Sequence, residues 1–197
     1  MTQMPVHLAA AVAIGLSAYA YAQPARAAEP VGTWLTEDGR ARVRTERCPS
    51  DQSRLCGYVV WLQKPLDDDG KPRVDRYNPD ARKQGRPSLG HQILLGLKPN
   101  ADGRFEGKIY NGDNGKLYDV TVWSDTSNEL SLKGCMLAVF CGSQTWARVS
   151  DLLPSQLQAS TGAPNGPRPD QEWAAKGPAP ATLGKTRPPE SQASPPR

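Results

Sequence analysis

Between residues 31 and 149 the chain is written in short runs whose polar and apolar members alternate, each ending at a turn signal. A period of two sends successive side chains to opposite faces of a strand, whereas an amphipathic helix needs a period near 3.6. This pattern confines the region to an all-β fold. Residues 31–36 read as a first strand around Gly32-Thr33-Trp34, and Glu37-Asp38-Gly39 as a turn. In residues 41–46 (ARVRTE) small and apolar residues alternate strictly with charges, which predicts a half-buried strand. Residues 55–62 and 91–97 (HQILLGL) are more apolar and predict more deeply buried strands. Residues 104–110 and 116–123 flank Asp113-Asn114-Gly115, and Asn-Gly is a strong hairpin signal because both central positions need positive φ. Residues 129–135 and 143–149 predict a last hairpin. About eight antiparallel strands at this spacing predict a meander barrel or a sandwich.

Composition divides the chain in three. Residues 8–22 are apolar apart from Gly15 and Ser17, and small-x-small patterns follow at Ala20-Tyr21-Ala22 and Ala25-Arg26-Ala27-Ala28. This predicts a signal peptide over residues 1–28, cleaved after Ala22, Ala27 or Ala28, which leaves no transmembrane span. Residues 29–153 hold all four cysteines and are long enough to fold alone. Residues 154–197 hold 10 of the 19 prolines and lack apolar periodicity, so a disordered tail is expected there. Trp173 is its one bulky side chain. The formal net charge of +4 is spread along the chain, and nucleic-acid binding needs clustered cations. Arg82, Lys83 and Arg86 share their segment with Asp75 and Asp80 and read as a solvated loop, so no nucleic-acid partner is expected.

The cysteines fall in two local pairs, Cys48 with Cys56 and Cys135 with Cys141. Export makes disulfides the expected state. Four cysteines allow three connectivities, and local pairing is favoured because each pair brackets a candidate turn. A zinc site would want shorter ligand spacings. The acidic run Asp67-Asp68-Asp69-Gly70 fails as a calcium loop. With Gly70 as the sixth position, the first is Pro65 and the twelfth is Arg76. No metal or cofactor is expected.

Residues 63–90 are long for a connection between strands, and such loops usually carry function or disorder. They could cover a barrel mouth or pack along its outside. His91, the one histidine left after cleavage, follows this segment with no nucleophile tied to it, and no catalytic residue is assigned. Candidate binding residues are Asp75, Asn78, His91, and Tyr110 and Tyr118 of the Asn-Gly hairpin. Residues 136–140 (MLAVF) are five consecutive apolar residues at a hairpin tip, which predicts a barrel plug or an exposed patch. First and last strands are neighbours in a closed barrel, so Trp34 and Arg148 are expected to stack as a cation–π pair at one barrel end.

These residues also carry a family resemblance. The order Gly32-Thr33-Trp34, Cys56-Gly57-x-Val59-x-Trp61-Leu62, Asp75-x-x-Asn78-Pro79 and Gly90-x-x-Ile93-Leu94 resembles domain of unknown function 2147 (DUF2147), a family of small exported bacterial proteins. So does the continuation Gly107-Lys108-Ile109-Tyr110-Asn111, Asn114-Gly115-Lys116-x-Tyr118, Gly134-Cys135 and Gly142-Ser143-Gln144-x-Trp146-x-Arg148. Gly112 stands where that family commonly has proline. The resemblance implies a periplasmic or secreted location and no activity. The Gly-x-Trp start and terminal arginine also resemble lipocalin-like barrels.

Together these readings predict a lipocalin-like barrel that binds a small apolar or amphipathic ligand without catalysis. An envelope-protein or cell-wall interaction module, and a hydrolase built on Asp75, Asn78 and His91, are the alternatives.

Overall fold

The computed structural model describes residues 28–136 and 140–174. The expected leader therefore lies outside the described residues except for Ala28, as do the tip of the 136–140 loop and residues 175–197. Eight strands follow in order: β1 (Gly32–Leu35), β2 (Ala41–Cys48), β3 (Asp51–Leu62), β4 (Gln92–Pro99), β5 (Phe105–Asn111), β6 (Lys116–Thr126), β7 (Glu129–Met136) and β8 (Phe140–Arg148). Each pairs antiparallel with the next, and β1 pairs with β8, so the sheet closes into a barrel. A sandwich is thereby excluded. Among the described residues the one helical piece is a 3-10 turn at Ala81–Lys83 in the 63–90 loop, capped by the Asp80 carboxylate, which accepts from Arg82 N–H.

The inward faces make one core of Trp34, Val43, Leu55, Leu94, Phe105, Leu130 and Trp146 with their neighbours. The alternation of β2 explains its contribution. Val43 enters this core, and Thr45 Oγ1 accepts the Trp34 indole N–H at 2.7 Å. Satisfying that buried donor is what lets a tryptophan serve as a core residue. Arg148 closes the same barrel end. Its guanidinium carbon lies 4.0 Å from the Trp34 ring centroid, and it donates to the carbonyls of Val31, Glu29 and Ser127. The cysteines form Cys48–Cys56 and Cys135–Cys141, the local connectivity among the three possible.

The chain after β8 departs from expectation over residues 154–174, which pack on the outside of β2, β3 and β4 as a strap. Lack of apolar periodicity argued for disorder, but the strap is held by other means. Arg42 and Arg44 point outward from β2 and read as a solvent face, yet Arg42 is only 5% exposed. Arg42 donates to the Asp151 carbonyl at 2.8 Å and pairs with the Asp151 carboxylate at 3.0 Å. Arg44 donates to the carbonyl of Ala159 and to Thr161 Oγ1. Leu157 N–H donates to the Val60 carbonyl, and Arg168 N–H to that of Gly90. Trp173 anchors the far end. It packs with Tyr58 and the Cys48–Cys56 bridge, under the Arg54 guanidinium at 5.1 Å. A Cβ on Gly96 would fall 2.2 Å from the Trp173 ring, so that seat requires glycine.

Candidate functional site

A cavity of about 890 Å³ opens at the barrel end carrying the β1–β2 turn and the β5–β6 hairpin, opposite the Trp34–Arg148 pair. Its inner wall is apolar: Val59, Ile93, Ile109, Val120 and Leu132. Ile93 reaches it through a β-bulge, since Tyr58 pairs with Gln92 and the next paired residues are Gly57 and Leu94. The mouth is polar and charged, with Glu37, Asp38, Arg40, Lys64, Arg73 and Arg76 around it. The size falls within the ~300–1,000 Å³ usual for small-molecule sites.

The 63–90 loop builds one side of this mouth and does not lie free. It doubles back on itself: Leu66 bridges Pro72, and Val74 bridges Pro87. Its attachment is the Asp75 carboxylate, which is 2% exposed. Tyr110 donates its hydroxyl to Asp75 Oδ1 at 2.5 Å. Asn78 Nδ2 donates to Oδ2 at 2.8 Å, and Arg86 Nε to the same oxygen at 2.9 Å. Arg86 reaches on to the strap, where its Nη1 pairs with Asp170 Oδ1 at 2.7 Å. Asp170 N–H in turn donates to the buried Gln92 amide oxygen on β4. One polar chain therefore links barrel, loop and strap. The β5–β6 hairpin supports the loop from the other side. Gly115 has φ 69°, and a Cβ there would fall 1.8 Å from the Tyr77 carbonyl oxygen.

Four of the five candidate binding residues thus converge, and they converge on one another. His91 lies with its ring 5.1 Å from that of Tyr110 and its Nδ1 4.0 Å from Asp75 Oδ2. Burial, with help from the Arg86 charge, lowers its pKa to about 4, so the imidazole is neutral near pH 7. Burial and the hydrogen bond to Asp75 raise Tyr110 to about 12. Among the described residues His91 Nε2 has no hydrogen-bond partner, so no hydroxyl or thiol is bonded to it. The group therefore has the residues of an acid–base site with its carboxylate already holding three donors. Tyr118 lies apart, opposite Ile109 across the hairpin, with its hydroxyl accepting from Asn114 Nδ2 at 2.9 Å. Trp34 and Arg148 are brought together at the other end of the barrel. Among the described residues no group of three or more His, Cys, Asp or Glu is placed to hold a metal ion, and no helix is long and apolar enough to cross a membrane.

Sequence reasoning missed Arg86 and Asp170. It also missed the mouth cations Lys64, Arg73 and Arg76. Arg86 precedes a proline in a loop that reads as solvated, and nothing in the sequence aims Asp170 back at it.

Over residues 32–148 the sequence matches DUF2147, a family described as an uncharacterised protein conserved in bacteria. No curated protein matches it. Among solved structures the fold is similar to HP1028 from Helicobacter pylori, described as belonging to the lipocalin family. That superposition has a TM-score of 0.50 and 24% identity, and covers 62% of this chain and 84% of that one.

Proposed function

The chain belongs to the DUF2147 family, and from its barrel and cavity we propose that it is a non-enzymatic binding protein for a small amphipathic ligand. The observation that carries this is the cavity of about 890 Å³, apolar within and charged at its mouth. An apolar wall of five aliphatic side chains rewards burial of hydrocarbon by roughly 25 cal/mol per Å² removed from water. The charged mouth favours a ligand with one polar end. A lipocalin-like fold supports the reading without assigning a ligand, because function lives in the site. Two disulfides agree with work in the periplasm or outside the cell, where such bonds persist.

Native mass spectrometry of the protein purified from its own envelope fraction tests this. A bound small molecule is expected, and its release should accompany Ile109→Trp, which fills the cavity. The neutral dye N-phenyl-1-naphthylamine should brighten with the unaltered protein and stay dark with that variant. No co-purifying molecule together with no dye response would overturn the proposal.

The interaction-module alternative rests on the 136–140 loop, whose tip lies outside the described residues, and on a tail whose first part is occupied as the strap.

A further inference from the structure

Apart from the buried Asp75, whose carboxylate is held by Tyr110, Asn78 and Arg86, the charges at the mouth are segregated, and this deepens the reading above, on which it rests. The acidic side is made by Glu37 and Asp38 of the β1–β2 turn and Asp113 of the β5–β6 hairpin. Arg40 stands between them and binds both aspartates, Asp38 at 2.6 Å and Asp113 at 3.1 Å. Glu37 accepts the Thr145 backbone N–H. The basic side is made by Lys64, Arg73 and Arg76 of the 63–90 loop. Arg73 Nε donates to the Leu66 carbonyl, and the Arg76 guanidinium lies over the Tyr77 ring. Among the described residues none of these three cations pairs with a carboxylate, whereas Arg86 of the same loop pairs with two. Asp67, Asp68 and Asp69 sit at the turn of that loop and do not line the cavity, and the Asp67 carboxylate accepts the N–H groups of Asp69 and Lys71.

We propose that the ligand is a single-chain amphiphile whose anionic head is held by Lys64, Arg73 and Arg76 while its hydrocarbon lies on Ile93, Ile109 and Leu132. Unpaired cations beside a low-dielectric cavity attract an anion more strongly than the same cations in open water. On the acidic side Arg40 already holds Asp38 and Asp113, so among the described residues a cationic head finds one carboxylate without a cation, Glu37, against three unpaired cations for an anionic head. A guanidinium offers a planar fork to either a carboxylate or a phosphate, so the shared chemistry is a compact oxyanion.

The test measures dissociation constants of dodecanoate, dodecyl phosphate, dodecanol and dodecylamine, each below its micelle concentration or, for the alcohol, its solubility limit, with the full chain by dye displacement. Either oxyanion should bind at least about tenfold more tightly than the alcohol at low salt, and the amine more weakly than both. The gap should shrink as ionic strength rises toward ~0.3 M, where charges at a mouth are screened. Which oxyanion binds better separates a carboxylate ligand from a phosphate one. The triple variant Lys64→Gln, Arg73→Gln, Arg76→Gln should bring acid and alcohol within about threefold. Because Arg73 also bonds the loop backbone, the double variant Lys64→Gln, Arg76→Gln should show the same direction with the loop bond kept. Dodecanol binding as tightly as dodecanoate, or dodecylamine more tightly, would overturn the head-group assignment and leave the cavity reading standing. Failure of all four ligands and of the dye would overturn both.

Discussion

Replacing Asp75 by alanine removes the buried carboxylate that ties the 63–90 loop to Tyr110 of β5 and gathers two of the loop's own donors. Three donors lose their partner: the Tyr110 hydroxyl, Asn78 Nδ2 and Arg86 Nε. Breaking a buried ion pair by deleting one member usually costs about 3–5 kcal/mol, and each neutral donor left buried costs about 1–3 kcal/mol before relaxation. Two features reduce the sum. Arg86 keeps Asp170, and its side chain is 24% exposed, so water can reach it. The Tyr110 hydroxyl can rotate toward Asn78, whose amide already lies 3.3 Å away. A net loss of about 3 kcal/mol follows. For a domain of this size that lowers Tm by roughly 9 °C, at about 3 °C per kcal/mol. Urea unfolding followed by tryptophan fluorescence and by far-ultraviolet dichroism measures it, with Asp69→Ala at the exposed loop turn as control. A loss under ~1 kcal/mol, no larger than that of the control, would refute the attachment role. Cleavage of the loop by protease with an unchanged unfolding transition would refute its membership in one cooperative unit.

Three other outcomes are expected. Because burial holds His91 near pKa 4 against 6.5 when exposed, the unfolded chain binds its proton first, and stability falls as pH drops from 6.5 toward 4. The wild type should lose about 3 kcal/mol more over that window than His91→Gln, measured by urea midpoints at each pH. Gly115→Ala and Gly39→Ala share a φ of 69°, but only the first drives a Cβ into the Tyr77 carbonyl. Gly39→Ala should cost about 1–2 kcal/mol from backbone strain alone and Gly115→Ala clearly more, with faster proteolysis of the 63–90 loop in Gly115→Ala only. Truncation after Val149 removes the Asp151 and Asp170 ion pairs and uncovers Tyr58 and the Cys48–Cys56 bridge. The melt should show a clear loss of stability, to which the largely buried Arg86–Asp170 pair contributes about 1.5–3 kcal/mol, and a hydrophobic dye should bind outside the barrel.

What was legible in the sequence follows from local physics. Val43 and Thr45 turn inward because a strand alternates, and Cys135 meets Cys141 because a hairpin folds back on itself. Trp34 and Arg148 were foreseeable as partners once closure was assumed, since closure makes β1 and β8 neighbours. The strap was not legible. Arg42 and Arg44 obey the alternation as outward residues, and nothing in a two-residue period says whether water or another segment lies outside. The partners they meet are backbone carbonyls, which every sequence has. The Asp75 cluster was half legible. Asp75, Asn78, His91 and Tyr110 stand out as candidate binding residues and do come together, but Arg86 of the same segment reads as a solvated loop residue, and Asp170 completes the group from 84 residues beyond it. The cavity depends on the bulge at Ile93 and on how the 63–90 loop seats, neither of which spacing encodes.

The seam between β1 and β8 has consequences for the order in which this molecule can assemble. It is the shortest pairing in the sheet, two residue pairs, and it joins positions more than a hundred residues apart. Such a contact must repay a large loop-closure entropy before it contributes anything, which makes barrels of this kind slow to complete. The strap adds a second late event, because the loop at the cavity mouth gains its Asp170 contact only after β8 has been made. A chain still being synthesised therefore cannot close its barrel until most of its length has been made. The cavity at the barrel mouth is the last part of the molecule to acquire its shape.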